Sequence, residues 1–330
     1  MKIFRSEPIN WHHFLDVHIG LLERLVVKRE RQKPGFYLSM FNEDFSRLFN
    51  SIGQQKGKQF EIVSNDEELL KKLLGNVNQS YAGRTVDKTI RKLVEAIAQS
   101  LIWHNRAYFF FYEDTAQGTV YLHPFSTDGV AKLFGKLIQW VPKRRERHFD
   151  RKDEELPREL RILDTAKVMC FEMPKSINRM LTVQNKTLAL LDRYRFNYND
   201  FIPQTTHEKP NPTNHFDFRI WNDTQEYALY RATRSSGWNG RKYDSAKRSD
   251  FFDCHRLIRF RRHQLLLRDD ILNQLSVELS RVGKGYKTGF TVKISVTNEL
   301  SSVAYLDDLE ARLTREEVGF NEIIDYCYER

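Results

Sequence analysis

The sequence predicts an α+β chain of mixed helices and small antiparallel sheets, on three observations. Apolar residues recur at helical spacing over Val86 to Leu101, and every seventh residue is apolar at Ile258, Leu265, Leu272 and Leu279. The run AYFFFYE, followed by a polar turn, has strand composition. Gly, Pro and Asn-rich stretches break the chain between these elements.

In order along the chain, Asn10 to about Arg31 reads as an amphipathic helix carrying Phe14, Val17, Leu21, Leu22 and Leu25, ended by Pro34-Gly35. Phe36 to Met40 reads as a short strand, and a helix with Phe45, Leu48, Phe49 and Ile52 follows from Asn42. Ser64-Asn65-Asp66-Glu67 is a capping-box pattern that starts a helix ending at Gly75. Val86 to His104 is the strongest helix, with Val86, Ile90, Leu93, Val94, Ile97 and Leu101 on one face. Ala107 to Glu113 and Thr119 to His123 form a hairpin. Leu137 to Val141 and Val168 to Met173 are strands, with Lys143 to Lys152 (KRRERHFDRK) an exposed basic loop between them. A Leu- and Tyr-rich helix spans about Val183 to Phe201. The long helix covers about 253–282, stopped by Gly283 and Gly285, before a strand within Tyr286 to Thr297 and two short C-terminal helices. His207 to Asn214, with Pro210 and Pro212, reads as a linker, giving an N-terminal region 1–206, the linker 207–214 and a basic C-terminal region 215–330.

With 330 residues and a 40 % hydrophobic share, the chain can bury a substantial core and is not disordered in composition. Three cysteines, Cys170, Cys254 and Cys327, lie far apart and are odd in number, so they make neither a disulfide framework nor a ligand pair at metal spacing, and a reducing compartment fits. No apolar run approaches a membrane span, and MKIFRSEPINWHHF lacks a signal-peptide core, so the expected location is cytoplasmic, away from membranes.

Catalytic and metal templates find no match. The phosphate loop, the dinucleotide fingerprint, the nucleophile elbow and the zinc-protease helix motif are all missing. His12, His13, Asp16 and His18 cluster, but His13 and His18 lie about 140° apart around a helix, which does not align two ligands. Cys254-His255 lacks a base and an oxyanion hole in sequence, and Gly283-Lys284-Gly285 reads as a helix stop. Asp217, Asp223 and Glu226 could serve a metal-dependent nuclease. The expectation is a non-catalytic protein with no cofactor and no metal.

A net charge of +9 favours an anionic partner. From Arg231 to Arg268 there are 11 Lys or Arg against 3 Asp or Glu, with Trp238 and Tyr243 interleaved, a mix that pairs phosphate neutralisation with base stacking. Arg256, Arg259, Arg262 and Arg268 read as the solvated side of the long helix, whose leucines face a core or another subunit. The loop cations Arg234, Arg241, Lys242, Lys247 and Arg248, with Arg144, Arg145 and Arg147 in the basic segment, are the candidate nucleic-acid contacts.

The run from about Val86 to Pro174 resembles the wing region of tailed-phage portal proteins. The residues that carry this are the helix DKTIRKLVEAIAQSLIWHNRAY, the strands FFFYED and GTVYLHPFSTDGV, and the later strand AKVMCFEMP. The helix near Val183 to Phe201 would stand where that family places a stem helix. The chain is shorter than such proteins and its clip and crown segments are not matched, so the resemblance implies a short or divergent member. It also implies a ring homo-oligomer, in the host cytoplasm or the virion, that passes DNA during virion assembly alongside other phage assembly proteins, with Ile258, Leu265, Leu272 and Leu279 as a partly inter-subunit face. The alternative is a sequence-independent nucleic-acid-binding accessory protein of a mobile element or phage-defence system, and a metal-dependent nuclease comes third.

Overall fold

The computed structural model describes residues 2–5, 7–10, 16–20, 35–49, 58–74, 85–114, 119–146, 153–193, 218–241 and 250–328. In chain order the elements are β1 (Lys2–Arg5), β2 (Asp16–His18), α1 (Phe36–Ser46), β3 (Phe60–Ser64), α2 (Glu67–Leu74), α3 (Val86–His104), β4 (Arg106–Asp114) and β5 (Thr119–Pro124). There follow β6 (Val130–Leu133), β7 (Lys136–Val141), β8 (Lys143–Glu146), β9 (Glu154–Leu156), β10 (Glu159–Leu163) and β11 (Val168–Glu172). The chain ends with α4 (Lys175–Arg193), α5 (Phe218–Ala232), α6 (Asp250–Gly283), β12 (Val292–Val296), α7 (Val303–Thr314) and α8 (Phe320–Tyr328). The fold is α+β, with helices and small, mainly antiparallel sheets.

Two compact units form, each from three stretches of chain. The first takes Met1–Gln32, Gln54–Pro174 and Leu267–Leu300, and the second Lys33–Gly53, Lys175–Leu266 and Ser301–Arg330. The expected linker over 207–214 lies outside the described residues.

In the first unit, the sheet β11-β4-β5 is antiparallel throughout. Ala107 through Phe111 are all buried, so β4 is covered on both faces. Tyr108 and Phe110 join Phe125, Leu137, Leu163 and Val168 in one apolar cluster, while on the alternate face Phe109 meets Phe171 edge-to-face at 5.9 Å. Ahead of this sheet, α3 has the bounds its period predicts. Thr85 caps its start, accepting from the Lys88 N–H at 3.3 Å, and Asn105 ends it in the left-handed region at φ 61°. A second sheet runs β1-β10-β7-β6, with β1 and β10 parallel, and a third runs β2-β8-β9. The buried pair Arg144 on β8 and Glu159 on β10 joins the two at 3.1 Å.

In the second unit, α1 packs on α4 and α4 on α5. A separate cluster gathers Cys254, Leu257, Ile258 and Leu265 of α6 with Leu306, Leu309 and Leu313 of α7 and Ile323 and Cys327 of α8.

Several expectations need correction. Within the expected helix from Asn10 to Arg31, residues 16–18 form a strand paired with β8, because Val17 and Ile19 alternate onto Val141 and Trp140; residues 11–15 and 21–34 lie outside the described residues. The expected strand at Phe36 to Met40 is the first half of helix α1. Its opening amides are capped from afar: Asp192 accepts from Tyr37 N–H at 2.8 Å and Leu38 N–H at 3.2 Å, a cap no local sequence displays. The cap of α2 is Asp66, accepting from Leu69 N–H at 2.9 Å, rather than Ser64. The basic loop expected over 143–152 begins as strand β8, with Arg144 turned inward. Helix α5 was not expected.

Candidate nucleic-acid interface

The turn after α5, residues 233–241, is held on α6 by a buried arginine. Arg256 places its guanidinium 4.4 Å from the Tyr230 ring centroid and donates from Nη2 to the Thr233 hydroxyl at 2.7 Å and to the Trp238 carbonyl. Gly237 makes the close approach feasible. Its φ is +81°, and a Cβ there would stand 2.3 Å from the Arg256 carbonyl oxygen. Trp238 is buried, and its indole N–H donates to Asp44 at 2.9 Å.

This turn presents two of the expected cationic contacts, which differ in what they can offer. Arg241 is half exposed but forks onto Asp44 at 2.5 Å and Glu43 at 2.8 Å. Hydrogen bonding to Asp44 drives its pKa further up, and the bond from Arg241 holds the Glu43 carboxyl below the usual carboxylate range. Its charge is therefore largely matched within the protein. Arg234 is exposed, and Arg259 donates to its backbone carbonyl at 3.0 Å, so its side chain projects from a fixed backbone. Lys242, Lys247 and Arg248 lie outside the described residues.

In the basic segment, Arg145 is exposed and stands 3.9 Å from Asp153. Arg144 is 3 % exposed and paired with Glu159, which removes it from contact with a phosphate. Arg147 lies outside the described residues. The arginines assigned to the wet side of the long helix are also corrected. Arg256 and Arg268 are buried, and Arg262 bridges Asp307 at 2.5 Å and Glu310 at 2.6 Å. These charges organise the fold.

The leucine face is corrected too. Ile258, Leu265, Leu272 and Leu279 are at most 2 % exposed in the chain itself, so they fill its cores and are not available to a neighbouring subunit.

One cationic surface escaped the sequence reading. On α4, Arg179, Lys186 and Arg193 are exposed at seven-residue intervals, with the exposed Val183 and Leu190 between them on the same stripe. The one carboxylate of α4, Asp192, is spent on the start of α1. Its buried face, Ile177, Leu181, Gln184 and Leu188, is what the apolar period reported, and the absence of acid opposite was the unused signal.

Among the described residues no group of three or more His, Cys, Asp or Glu is placed to hold a metal ion, and no helix is long and apolar enough to cross a membrane. Of the carboxylates considered for a nuclease, Asp217 lies outside the described residues and Asp223 is exposed on α5. His12 and His13 also lie outside them, while His18 is exposed. Burial pushes the Cys327 thiol up to about 12 and the Cys170 thiol up to about 11, so both stay protonated at neutral pH.

No protein-family model matches the sequence, and no curated protein matches it. Among solved structures, the chain is similar to one from the virion of a native gene transfer agent particle, with 11 % identity and a TM-score of 0.43, covering 93 % of this chain and 92 % of that one. It is similar to a chain from the neck of an empty gene transfer agent particle, with 11 % identity and a TM-score of 0.42, covering 89 % and 88 %. It is also similar to an HK97 family phage portal protein from Corynebacterium diphtheriae, with 10 % identity and a TM-score of 0.32, covering 89 % of this chain and 98 % of that one.

Proposed function

We propose that the chain is a non-catalytic structural protein of a phage-type particle, a short portal-like subunit that forms a ring through which DNA passes. The observation that carries this reading is the run from Val86 to Glu172. A helix stopped by left-handed Asn105 leads straight into the doubly buried aromatic strand β4 and its hairpin with β5, and after strands β6 to β10, β11 returns beside β4. The helix, the aromatic strand, the hairpin and the later strand are the elements on which the resemblance to a portal wing rests. With the leucine face internal, the ring would close through exposed side chains, in one heterologous contact repeated around the axis.

DNA would be held loosely by exposed cations: Arg145, Arg234 and the α4 stripe Arg179, Lys186 and Arg193. Such phosphate contacts are salt-sensitive and independent of sequence, which suits a strand that must slide.

The test is solution mass by light scattering at two salt concentrations, after nucleic acid is removed. A large, discrete closed oligomer is the expected result. A mass near one or two times 39.3 kDa in both salts would overturn the ring and leave the nucleic-acid-binding accessory protein as the reading. The acid-free stripe on α4 favours that second reading equally well.

A further inference from the structure

The β6–β7 hairpin closes through two residues, Phe134 and Gly135, with Leu133 and Lys136 the last paired positions. Both loop residues have positive φ, 49° and 75°. Two-residue hairpin loops of this kind favour Asn-Gly or Asp-Gly, because a β-carbon with a large substituent is crowded in the left-handed region. A phenylalanine at the first position is therefore strained, and the protein does not compensate it. Its ring is fully exposed, Leu133 beside it is half exposed, and Lys132 and Lys136 are exposed on either side. Neither lysine is ion-paired among the described residues, and there is no Asp or Glu from Gly129 to Gln139. Strain and unburied aromatic surface kept together at one tip indicate a use outside the chain.

We propose that this tip is a base-stacking contact for single-stranded nucleic acid, in which Phe134 lies on an unpaired base and Lys132 and Lys136 neutralise the phosphates on either side. The chemistry is an aromatic face between two uncompensated cations on a chain of net charge +9. An anionic bilayer would be gripped by the apolar area it buries, and one Leu and one Phe supply little of that, whereas one aromatic face is enough for one base. The inference rests on the nucleic-acid part of the reading above and adds a contact that distinguishes unpaired from paired strands.

The experiment uses the full chain, a dye-labelled oligothymidine, a duplex of the same length, and vesicles of phosphatidylcholine with phosphatidylserine. Binding is read by fluorescence anisotropy for the DNAs and by co-sedimentation for the vesicles. Phe134→Asn is expected to raise the melting temperature, because asparagine suits the turn, while weakening oligothymidine binding about tenfold. Its dependence on salt should stay unchanged, since no charge is lost. Phe134→Trp should retain binding. Lys132→Gln with Lys136→Gln should flatten the slope of log affinity against log salt by about 1.4. The proposal is overturned if Phe134→Asn binds oligothymidine like the unmodified chain, if it weakens duplex binding equally, or if only vesicle binding is lost. A chain that binds duplex but not oligothymidine overturns it as well, without touching the ring, which is judged by mass.

Discussion

Glu159 shows how single side chains set the architecture of the first unit. Burial alone would raise its pKa, but hydrogen bonds from Arg161 at 2.9 Å and Arg144 at 3.1 Å outweigh that and hold it below the usual carboxylate range. A depressed carboxylate contributes stability that is present above its unfolded pKa and lost as pH falls through the folded one. Glu159→Gln should therefore lower the unfolding free energy measured in urea at pH 7 by about 3 kcal/mol, as for a broken buried pair, and the gap should narrow steadily below the ordinary carboxylate range. A gap that stays constant with pH would mean that packing, not charge, is lost. Gln139 acts without charge: fully buried, it accepts from the Ile9 N–H at 2.9 Å and donates to the Ile9 carbonyl at 2.7 Å, as a strand would. In the second unit Arg256 has the equivalent place. Arg256→Lys keeps the charge but loses the planar fork and the stack on Tyr230, and should cost about 2 kcal/mol in denaturant unfolding, with increased hydrogen exchange in the 233–241 turn.

The element that does most in the first unit is the C-terminal half of α6, which serves two strand edges at once. On one flank Gln274 exchanges hydrogen bonds with the Glu172 backbone, Glu278 accepts from the Cys170 N–H at 2.9 Å, and Arg281 donates to the Thr165 carbonyl at 2.7 Å. On the other, Ser280 accepts from Val292 N–H and Ser276 from Ile294 N–H, each at 2.9 Å. The flanks lie about 150° apart around the helix. Helix side chains thus occupy the outer edge of β11, which would otherwise template pairing with another chain. Gln274→Ala with Glu278→Ala should destabilise by about 2–4 kcal/mol, expose the Cys170 and Glu172 amides to exchange, and increase aggregation. Protected amides in the double variant would show that β4 and α3 alone secure the strand. Such elements also mark what the sequence could and could not disclose. Helix α3 was legible because its period and its ends are local, and so, to within a residue at each end, was the β4–β5 hairpin. Helix α1 was not, because its cap is Asp192, more than 150 residues away, and its opening Phe-Tyr-Leu suits a strand just as well. Strand β8 hid behind its charges, since nothing in KRRE tells that Arg144 meets Glu159.

At the scale of the whole molecule the charge is unevenly placed. From Glu299 to Arg330 there are nine Asp or Glu against three Arg, so the rest of the chain is more basic than the total of +9 suggests. Composition pointed to an anionic partner, but it could not say which cations are free. Burial withdrew Arg144, Arg256 and Arg268, pairing withdrew Arg241 and Arg262, and the α4 cations lie in and just ahead of a stretch that showed in sequence only as a Leu- and Tyr-rich helix. The leucine heptad misled for a related reason, because a seven-residue period reports a buried face without saying whose surface buries it. If the three α4 cations each neutralise a phosphate, duplex affinity should fall with salt along a slope to which they contribute about 0.9 apiece. Arg179→Gln, Lys186→Gln and Arg193→Gln together should then flatten that slope by about 2.7 and weaken binding at low salt, with the melting temperature held because all three side chains are exposed. An unchanged slope with intact folding would take α4 out of the DNA surface and leave its stripe, Val183 and Leu190 included, to a protein neighbour. The mass of the same variant would decide between these, because a stripe that joins subunits should lose the large oligomer when its charges are removed, and a stripe that only touches DNA should not.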